Sequence, residues 1–378
     1  MKRTYLDHAA TTALSPVAEE AWLKAVRQLQ SMPGNPSALH AGGRAASRMV
    51  EDAREEIADA IGAERAEVVF TSGATEANAL GVIGAARHTG RPAVLISQVE
   101  HDSVAKLADA APDLQWRHIP VDSEGVSIVP SSLGDDVALA SMSLVCAETG
   151  VIQPVERLVA ASGDTLVHTD AAQAIGHLPV SFSALGVDLL TLGGHKIGAP
   201  VGTGALIVRR GVEIDSDRPG GGQERKRRSG TVDAAGAVAL AAALTATVRE
   251  LDVVIERHQA LKDRLVAGLP PEVHVTSQAP SSPGMVHLSL PTSSPEVLLM
   301  AFDQAGVMVS AGSACHAGVT RPSEILLNMG RDTAGALGVL RVSFGADTDA
   351  SDIDAFLEAL PGALAAAQRM DKHFKERA

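Results

Sequence analysis

Short, unbroken apolar segments alternate with helical segments through the first two thirds of the chain, and this alternation constrains the fold more than any other feature. The segments are rich in Val, Leu, Ile and Ala and lack a regular polar alternation. Strands of this kind are buried on both faces, as in mainly parallel sheets covered by helices. We therefore predict an α/β protein, with strands over 67–70, 93–97, 137–145, 165–169, 187–190 and 204–208.

Helix ends carry recognisable capping residues. Ser15-Pro16 predicts a helix start, because proline suits the first helical position. Residues 45–61 have helical spacing of apolar positions and stop at Gly62. Residues 71–78 follow a predicted strand with a turn of small residues, where free amide groups and the helix dipole can bind an anion. An ordinary capped helix start explains the same residues equally well.

Composition excludes several classes of protein. The 378-residue chain has a formal net charge of -13 and only 2% aromatic residues, which argues against binding nucleic acid directly. The basic run 225–228 is too short to change this and is expected to be a solvated loop. No stretch reaches the length of a membrane span, and no apolar signal segment is seen at the N-terminus, so we expect a cytoplasmic protein. Cys146 and Cys315 are far apart and form no metal or disulfide pattern; metal ligands are not expected.

Chain length suggests two or three domains. A mobile-looking loop over 218–223 precedes a predicted Ala-rich helix from Ala234 to about Arg257. We place a domain boundary at the end of that helix. The large domain then covers 16–257, and a smaller α/β domain covers 258–378.

Polar residues follow the predicted strands, where the carboxyl ends of parallel strands meet and ligands bind. Lys196 comes directly after Gly193-Gly194. The glycines let the backbone approach a phosphate, so we interpret Lys196 as a Schiff-base lysine for pyridoxal phosphate. Taken alone, the segment is more typical of a surface lysine at a strand end.

Two further strand-end residues fit the same cofactor. Asp170 would keep the pyridine nitrogen protonated, which lets the ring accept electrons; it could instead be a helix cap. His101 could lie over the ring, although a strand-end histidine is often a satisfied core residue.

The ordered set of motifs resembles the cysteine desulfurases, in the class V aminotransferase family, and within them the group whose active loop reads S-x-G-S-A-C. The similarity runs from 5–12 to 341–345, nearly the whole chain. It is carried by residues 71–76, 100–101, 170–173, 194–196, 220–225, 228–231 and 313–315. The resemblance implies the fold type I of pyridoxal-phosphate enzymes, with a mainly parallel seven-stranded sheet and an N-terminal arm, 1–15, that joins the small domain.

The resemblance also implies a role for each matching residue. Lys196 would hold the cofactor, Asp170 would face its ring nitrogen, and His101 would stack on the ring and move protons. Substrate carboxylate would bind to Arg341, with Asn35 as the weaker candidate. The remaining cofactor contacts would come from Ala74, Thr75, Gln173, Gly193 and His195, and from Thr231 of the partner in a homodimer.

The implied reaction takes sulfur from L-cysteine. Cys315 would be the nucleophile that accepts the sulfur as a persulfide and passes it to an acceptor protein, while alanine is released. Only a thiolate is nucleophilic, so its pKa must be lowered or a base must lie near. Cys146 is expected to be a small buried hydrophobe. The acceptor stays open among iron-sulfur assembly, tRNA thiolation, DNA phosphorothioation and a biosynthetic cluster.

Three departures from the family pattern bear on cofactor affinity. Ala147 stands where the family usually has an Asn that contacts the cofactor hydroxyl, and Gly193 stands where a Ser usually reaches the phosphate. Lys226-Arg227 replace a Gly and an apolar residue. Each lost hydrogen bond is worth on the order of 1 kcal/mol. Two alternatives therefore stay open: a related lyase or aminotransferase, and a non-catalytic scaffold with a degenerate site.

Overall fold

A seven-stranded sheet forms the centre of the protein; the computed structural model describes residues 3–311 and 321–376. Its strands are β2 (Val68–Thr71), β3 (Ala93–Ser97), β4 (Gln115–Ile119), β5 (Val137–Ser141), β6 (Leu166–Asp170), β7 (Leu189–Gly193) and β8 (Gly204–Val208). Along the sheet they are ordered β2-β8-β7-β6-β5-β3-β4, and β8 alone runs antiparallel to its neighbours.

This arrangement confirms the predicted α/β class and the mainly parallel sheet. Two details differ from the prediction. Strand β5 ends at Ser141, before the predicted end at 145, and Val145 makes only an isolated bridge to Ile152. Strand β4 was not predicted, because it lies at the sheet edge and three of its five side chains are exposed.

The helices begin and end largely where the capping residues indicate. Ser15 caps the first helix by accepting from the Ala18 amide at 3.2 Å, and Gly62 ends the second with φ +68°. The helices are α1 (Pro16–Ser31), α2 (Ala41–Ile61), α3 (Ala74–Thr89), α4 (Asp102–Ala105), α5 (Leu107–Ala110), α6 (Val155–Ala161), α7 (Phe182–Leu185), α8 (Ala234–Arg249), α9 (Leu251–Ala267), α10 (Pro295–Gln304), α11 (Glu324–Asn328), α12 (Thr333–Leu337) and α13 (Ala350–Lys375).

Both faces of the main sheet are covered, and alternate residues of one strand serve different cores. Leu189 and Leu206 pack with the apolar face of α3. Leu190 and Ile207 point to the opposite face, where they join residues of α2 and α8. Burial on both faces explains why these strands contain unbroken apolar runs.

A second core lies in the C-terminal part of the chain. It contains Leu6 of the N-terminal arm together with residues of the antiparallel strands and of α10 and α13, and Phe302 stacks on Phe356 with ring centroids 5.1 Å apart. The strands here are β9 (His274–Val275), β10 (Met285–Ser289) and β12 (Val339–Ser343), in the order β12-β10-β9, while β1 (Thr4–Tyr5) pairs with β11 (Val307–Met308).

The single helix predicted from Ala234 to about Arg257 is instead two helices that meet at Glu250, so residue 257 lies inside α9. Glu250 has φ −96° and ψ 2°, outside helical geometry. The turn lets α8 stay on the large core while Leu261 and Leu265 of α9 reach the second core. No helix in the described ranges is long and apolar enough to cross a membrane.

Candidate active site

Asp170 and Lys196 come together at the carboxyl edge of the main sheet. Asp170 is the last residue of β6 and lies opposite Thr191 of β7, and Lys196 sits in the short turn directly after β7. Desolvation lowers the pKa of Lys196 to about 8, although the negative charge of Asp170 acts to raise it. Lys196 as a whole residue is half-buried. The amine is therefore positioned and poised to react with a carbonyl group.

The Asp170 carboxylate is buried and held by two donors. Its Oδ2 accepts from Asn78 Nδ2 at 2.7 Å, and its Oδ1 accepts from the Ala172 amide at 2.8 Å. Asp170 thus closes the turn after β6 and presents its carboxylate at the sheet edge; no helix begins at this turn, so it is not the helix cap of the alternative interpretation. Asn78 is fully buried and received no role from the sequence; its place in the 71–78 motif was the only signal.

His101 lies at the end of the loop after β3 and caps α4. The residue is exposed, and its Nδ1 accepts from the Ser103 amide at 3.1 Å. Desolvation lowers the pKa of His101, and the positive charge of Lys196 lowers it further. The structure therefore places His101 near Lys196 and Asp170, as a neutral imidazole.

The turn between β2 and α3 has the geometry of an anion site. Gly73 precedes the 16-residue helix with φ +147°, a conformation open to glycine, and Ala74 and Thr75 in the first helical turn are not buried. Gly204 begins β8, and a Cβ at this position would lie only 2.6 Å from Gly73 Cα. Strand β8 therefore packs directly against this turn. A Cβ on Gly193 would lie 3.3 Å from Ala74 Cβ. Glycine at 193 thus fits a close approach of β7 to the turn.

The N-terminal arm crosses the same edge of the sheet. Gln173 donates from Nε2 to the Ala9 carbonyl at 2.9 Å, and His195 Nδ1 lies 3.1 Å from Thr11 Oγ1. Both residues were predicted to contact the cofactor, and both are positioned by residues of the 5–12 segment, for which no individual role was predicted.

Arg341 is positioned from β12 by two partners. Its NH1 donates to the Ala147 carbonyl at 2.8 Å, and its NH2 lies 3.0 Å from Asp7 Oδ1 in the arm. Its Nε is buried without a partner in the described residues. Ala147, which has no side-chain amide, therefore contributes through its main chain to the site.

Asn35 and Thr231 lie at one cavity, and Lys196 is not among the residues that line it. The cavity has a volume of about 190 Å³ and is also lined by Arg54 and Glu224. Asn35 also accepts from the Ser37 amide at 2.9 Å.

The basic run 225–228 is only partly solvated, contrary to expectation. Arg228 donates to Glu76 at 2.8 Å, and Glu76 accepts in turn from the Ser72 amide at 2.7 Å. Although burial opposes it, the hydrogen bonds from Arg228 and Ser72 lower the pKa of Glu76 to about 2. Arg227 donates to the Val212 carbonyl at 2.9 Å. The loop is therefore tied to the turn that begins α3.

Cys315 lies outside the described residues, but the chain leading to it starts beside Arg341. Ser310 and Arg341 exchange two backbone hydrogen bonds, of 3.3 and 2.7 Å. Cys146 is fully buried, and burial raises the pKa of its thiol, which makes it unreactive.

The fold and this sheet edge define a class of protein, and comparison with known sequences agrees. Residues 4–356 match the aminotransferase class-V family, so the chain belongs to that family. The IscS-like cysteine desulfurase of Mycobacterium tuberculosis is 40% identical, with 97% of each chain covered. A solved NifS-like protein superposes with a TM-score of 0.88 at 30% identity, covering 96% of this chain and 99% of the other. SspA, solved in complex with cysteine, has a TM-score of 0.77 at 26% identity, covering 90% and 98%.

Proposed function

We propose that this chain is a pyridoxal-phosphate-dependent cysteine desulfurase, which converts L-cysteine to alanine and keeps the sulfur as a persulfide on Cys315. The observation that carries the proposal is the meeting of Lys196, Asp170 and His101 at one sheet edge, beside the anion site at the start of α3. The chain's similarity to proteins named cysteine desulfurase supports the choice of substrate.

The residues present fit the cofactor. A deeply placed amine with a lowered pKa, a buried carboxylate with an oriented donor, and a glycine turn at a helix N-terminus are the three features that pyridoxal phosphate requires. Lys196 would hold it covalently, Asp170 would face the ring nitrogen, and Ala74, Thr75 and His195 would bind the phosphate. When bound, the cofactor supplies an electron sink for the Cα carbanion of an amino acid.

Side chains of this protein would perform the remaining tasks. Arg341 would bind the substrate carboxylate, since a guanidinium fork matches it and its charge is fixed in place by Asp7. Lys196, with a pKa of about 8, can both release and take up a proton near neutral pH. Cys315 as thiolate would attack the substrate sulfur: an S–S bond forms, the C–S bond breaks, and the carbon takes a proton to give alanine.

The proposal includes a homodimer and an acceptor protein. Thr231 lines a cavity whose lining does not include its own Lys196, which suits a contact with the cofactor of a second subunit. The sulfur on Cys315 would pass to an acceptor protein in the cytoplasm, where thiols stay reduced.

The test combines a spectrum with product analysis. Protein mixed with pyridoxal phosphate should develop the visible absorbance of a lysine-bound cofactor, and addition of L-cysteine with a thiol should yield alanine and sulfide. Cys315→Ala should keep the absorbance but lose sulfur transfer, whereas Lys196→Ala should lose the absorbance. Cys146→Ala is the matched control and should keep both.

Each alternative has its own outcome. No absorbance band would support a scaffold, and a band with turnover of another amino acid would support a related lyase or aminotransferase. Full sulfur transfer by Cys315→Ala would overturn the persulfide assignment.

A further inference from the structure

A hydrogen-bond chain of four side chains joins Asp170 to His101. Asn78 Nδ2 lies 2.7 Å from Asp170 Oδ2 and 2.8 Å from Ser103 Oγ. Ser103 Oγ lies 2.9 Å from His101 Nδ1, and the Ser103 amide lies 3.1 Å from the same ring nitrogen. Asn78 and Asp170 are buried, so their contact is shielded from water, whereas Ser103 is half-buried and His101 is exposed.

The chemistry of each member sets the direction of the bonds. The Asp170 carboxylate can only accept, which turns the Asn78 amide so that its two N–H groups face Asp170 and Ser103. Ser103 Oγ accepts one of these, so its own hydrogen is available to His101 Nδ1. The backbone N–H of Ser103 can only donate, and it also points at Nδ1.

His101 Nδ1 therefore carries no hydrogen. In a neutral imidazole the proton then resides on Nε2. A proton on Nδ1 would point at the backbone N–H of Ser103, so the hydrogen bond from that N–H to Nδ1 would be lost. Lys196 and Arg341 also oppose a charge on the ring, whereas Asp170 and Asp102 favour one.

We propose that Asn78 and Ser103 are positioning residues that hold His101 as its neutral Nε2–H tautomer. His101 then acts as a hydrogen-bond donor through Nε2 toward the site at the sheet edge, and Lys196 carries out the proton transfers. A neutral imidazole in this tautomer cannot accept a proton at Nε2, and loss of the Nε2 proton would leave an unstable anion. This inference rests on the proposed function for its catalytic meaning, but the tautomer is a property of the chain alone.

The first test is nitrogen NMR of the histidine-labelled protein without cofactor at pH 7, because nitrogen shifts separate protonated from unprotonated ring nitrogens. The His101 signals are assigned by their loss in His101→Gln. We expect Nε2 protonated and Nδ1 unprotonated. A proton on Nδ1, with or without one on Nε2, would overturn the proposal.

Variants of the chain provide the second test. Ser103→Ala removes one donor to Nδ1, so the proton affinity of the ring should rise about fivefold to tenfold. Ser103→Thr keeps the hydroxyl and should restore the wild-type value. In the double variant, Asn78→Ala should change the proton affinity of the ring little beyond the effect of Ser103→Ala, because both residues act through the same chain of hydrogen bonds. Ser141→Ala is the matched control: it removes a hydroxyl 2.8 Å from His168 Nδ1, inside the sheet, and should leave His101 unchanged. The proposed hydrogen-bond chain would be contradicted if the effects of the two substitutions on the proton affinity of His101 were additive, or if Ser103→Ala had no effect.

The third test concerns turnover of the holoenzyme. Glutamine can donate a hydrogen bond but cannot carry a proton, so His101→Gln should retain activity within about tenfold and His101→Ala should lose more. Loss of a proton carrier would instead cost about 10²–10⁴-fold. A loss of that size in His101→Gln with the absorbance band intact would refute the donor role. A wild-type protein that makes no alanine from cysteine would refute the proposed function, while the NMR result would still decide the tautomer.

Discussion

Arg54 and Glu224 form a bidentate ion pair beneath the loop that carries Thr231. Both NH1–Oε2 and NH2–Oε1 distances are 2.8 Å, and the two residues are 3% and 6% exposed. Glu224 Oε2 also accepts from the Phe70 amide at 2.8 Å. The pair therefore fixes the loop to α2 and to β2, the strand that leads to the anion site.

The residues held by this ion pair have an unusual backbone. Glu224, Arg225 and Lys226 have φ values of 46°, 56° and 68°, all in the left-handed region. Each such residue costs roughly 1–2 kcal/mol when it carries a Cβ. A strained segment of this kind persists only where surrounding contacts determine it, and the ion pair supplies those contacts.

Removing the negative charge of the pair should destabilise the protein. Glu224→Gln removes the bidentate partner of the buried Arg54 cation and leaves it only the partly exposed Glu51 carboxylate, 3.1 Å from Nε, so we expect the free energy of unfolding to fall by about 3 kcal/mol in a denaturant titration. The control is Asp113→Asn, which breaks the exposed bidentate pair with Arg87 and should have no measurable effect. Equal small effects of the two variants would show that the buried pair does not hold the loop.

Relief of the backbone strain should stabilise the protein. Lys226→Gly places glycine at φ +68°, and we expect the free energy of unfolding to rise by about 1 kcal/mol. Lys226→Ala removes the charge but keeps the Cβ, and should give no gain. If alanine stabilises as much as glycine, charge repulsion in the basic run, not strain, is the cause.

The lowered pKa of Lys196 sets the pH at which its amine reacts. The rate of pyridoxal phosphate capture, measured by borohydride trapping and mass spectrometry at residue 196, should rise with pH and level off above about 8. Asp170→Asn removes a charge that raises this pKa, so the midpoint should move to lower pH. A midpoint near the ordinary lysine value of about 10.4 would contradict the desolvated position of the amine.

Burial of the amine also affects folding. The folded-state pKa of Lys196 lies below its unfolded value, so the unfolded chain binds more protons between pH 8 and 10.5. Stability should therefore rise with pH across that window in the cofactor-free protein. Lys196→Met should abolish this rise.

Acid should unfold the protein through buried histidines. The rings of His177 and His258 lie 5.4 Å apart, and burial lowers their pKa values to about 3 and 4. The unfolded chain thus takes up protons below pH 6.5 that the folded chain does not, and stability falls as pH falls from 6.5 to 4. His258→Gln keeps a donor to the Gly345 carbonyl, now 3.0 Å from Nε2, and should reduce the loss between pH 7 and 4 by roughly 3 kcal/mol. If the loss of stability between pH 7 and 4 is unchanged in this variant, His258 does not titrate in this way.

The features that could be predicted from sequence are those encoded by local pattern. Strands buried on both faces, such as β7, and capped helix ends, such as Ser15 and Gly62, need only nearby residues to be recognised. Strand β4 escaped prediction because it is an exposed edge strand with polar residues. The break at Glu250 also escaped it, because both flanking segments are good helix formers and the turn is required only by the position of the second core.

The candidate site divides in the same way. Lys196, Asp170 and His101 could be identified because each follows a strand whose direction is fixed by the parallel sheet. Asn78, and the Asp7 contact with Arg341, could not be identified, since the two contacts join residues 92 and 334 positions apart.

By itself the sequence determined the class of fold and the edge of the sheet where its reactive side chains gather, because apolar periodicity and glycine turns act over a few neighbouring residues. Tertiary structure alone decided the state of those side chains: the lowered pKa of Lys196, the turn of the Asn78 amide and the strained loop above Arg54. These depend on desolvation and on hydrogen bonds between distant segments, which exist only once the chain has packed.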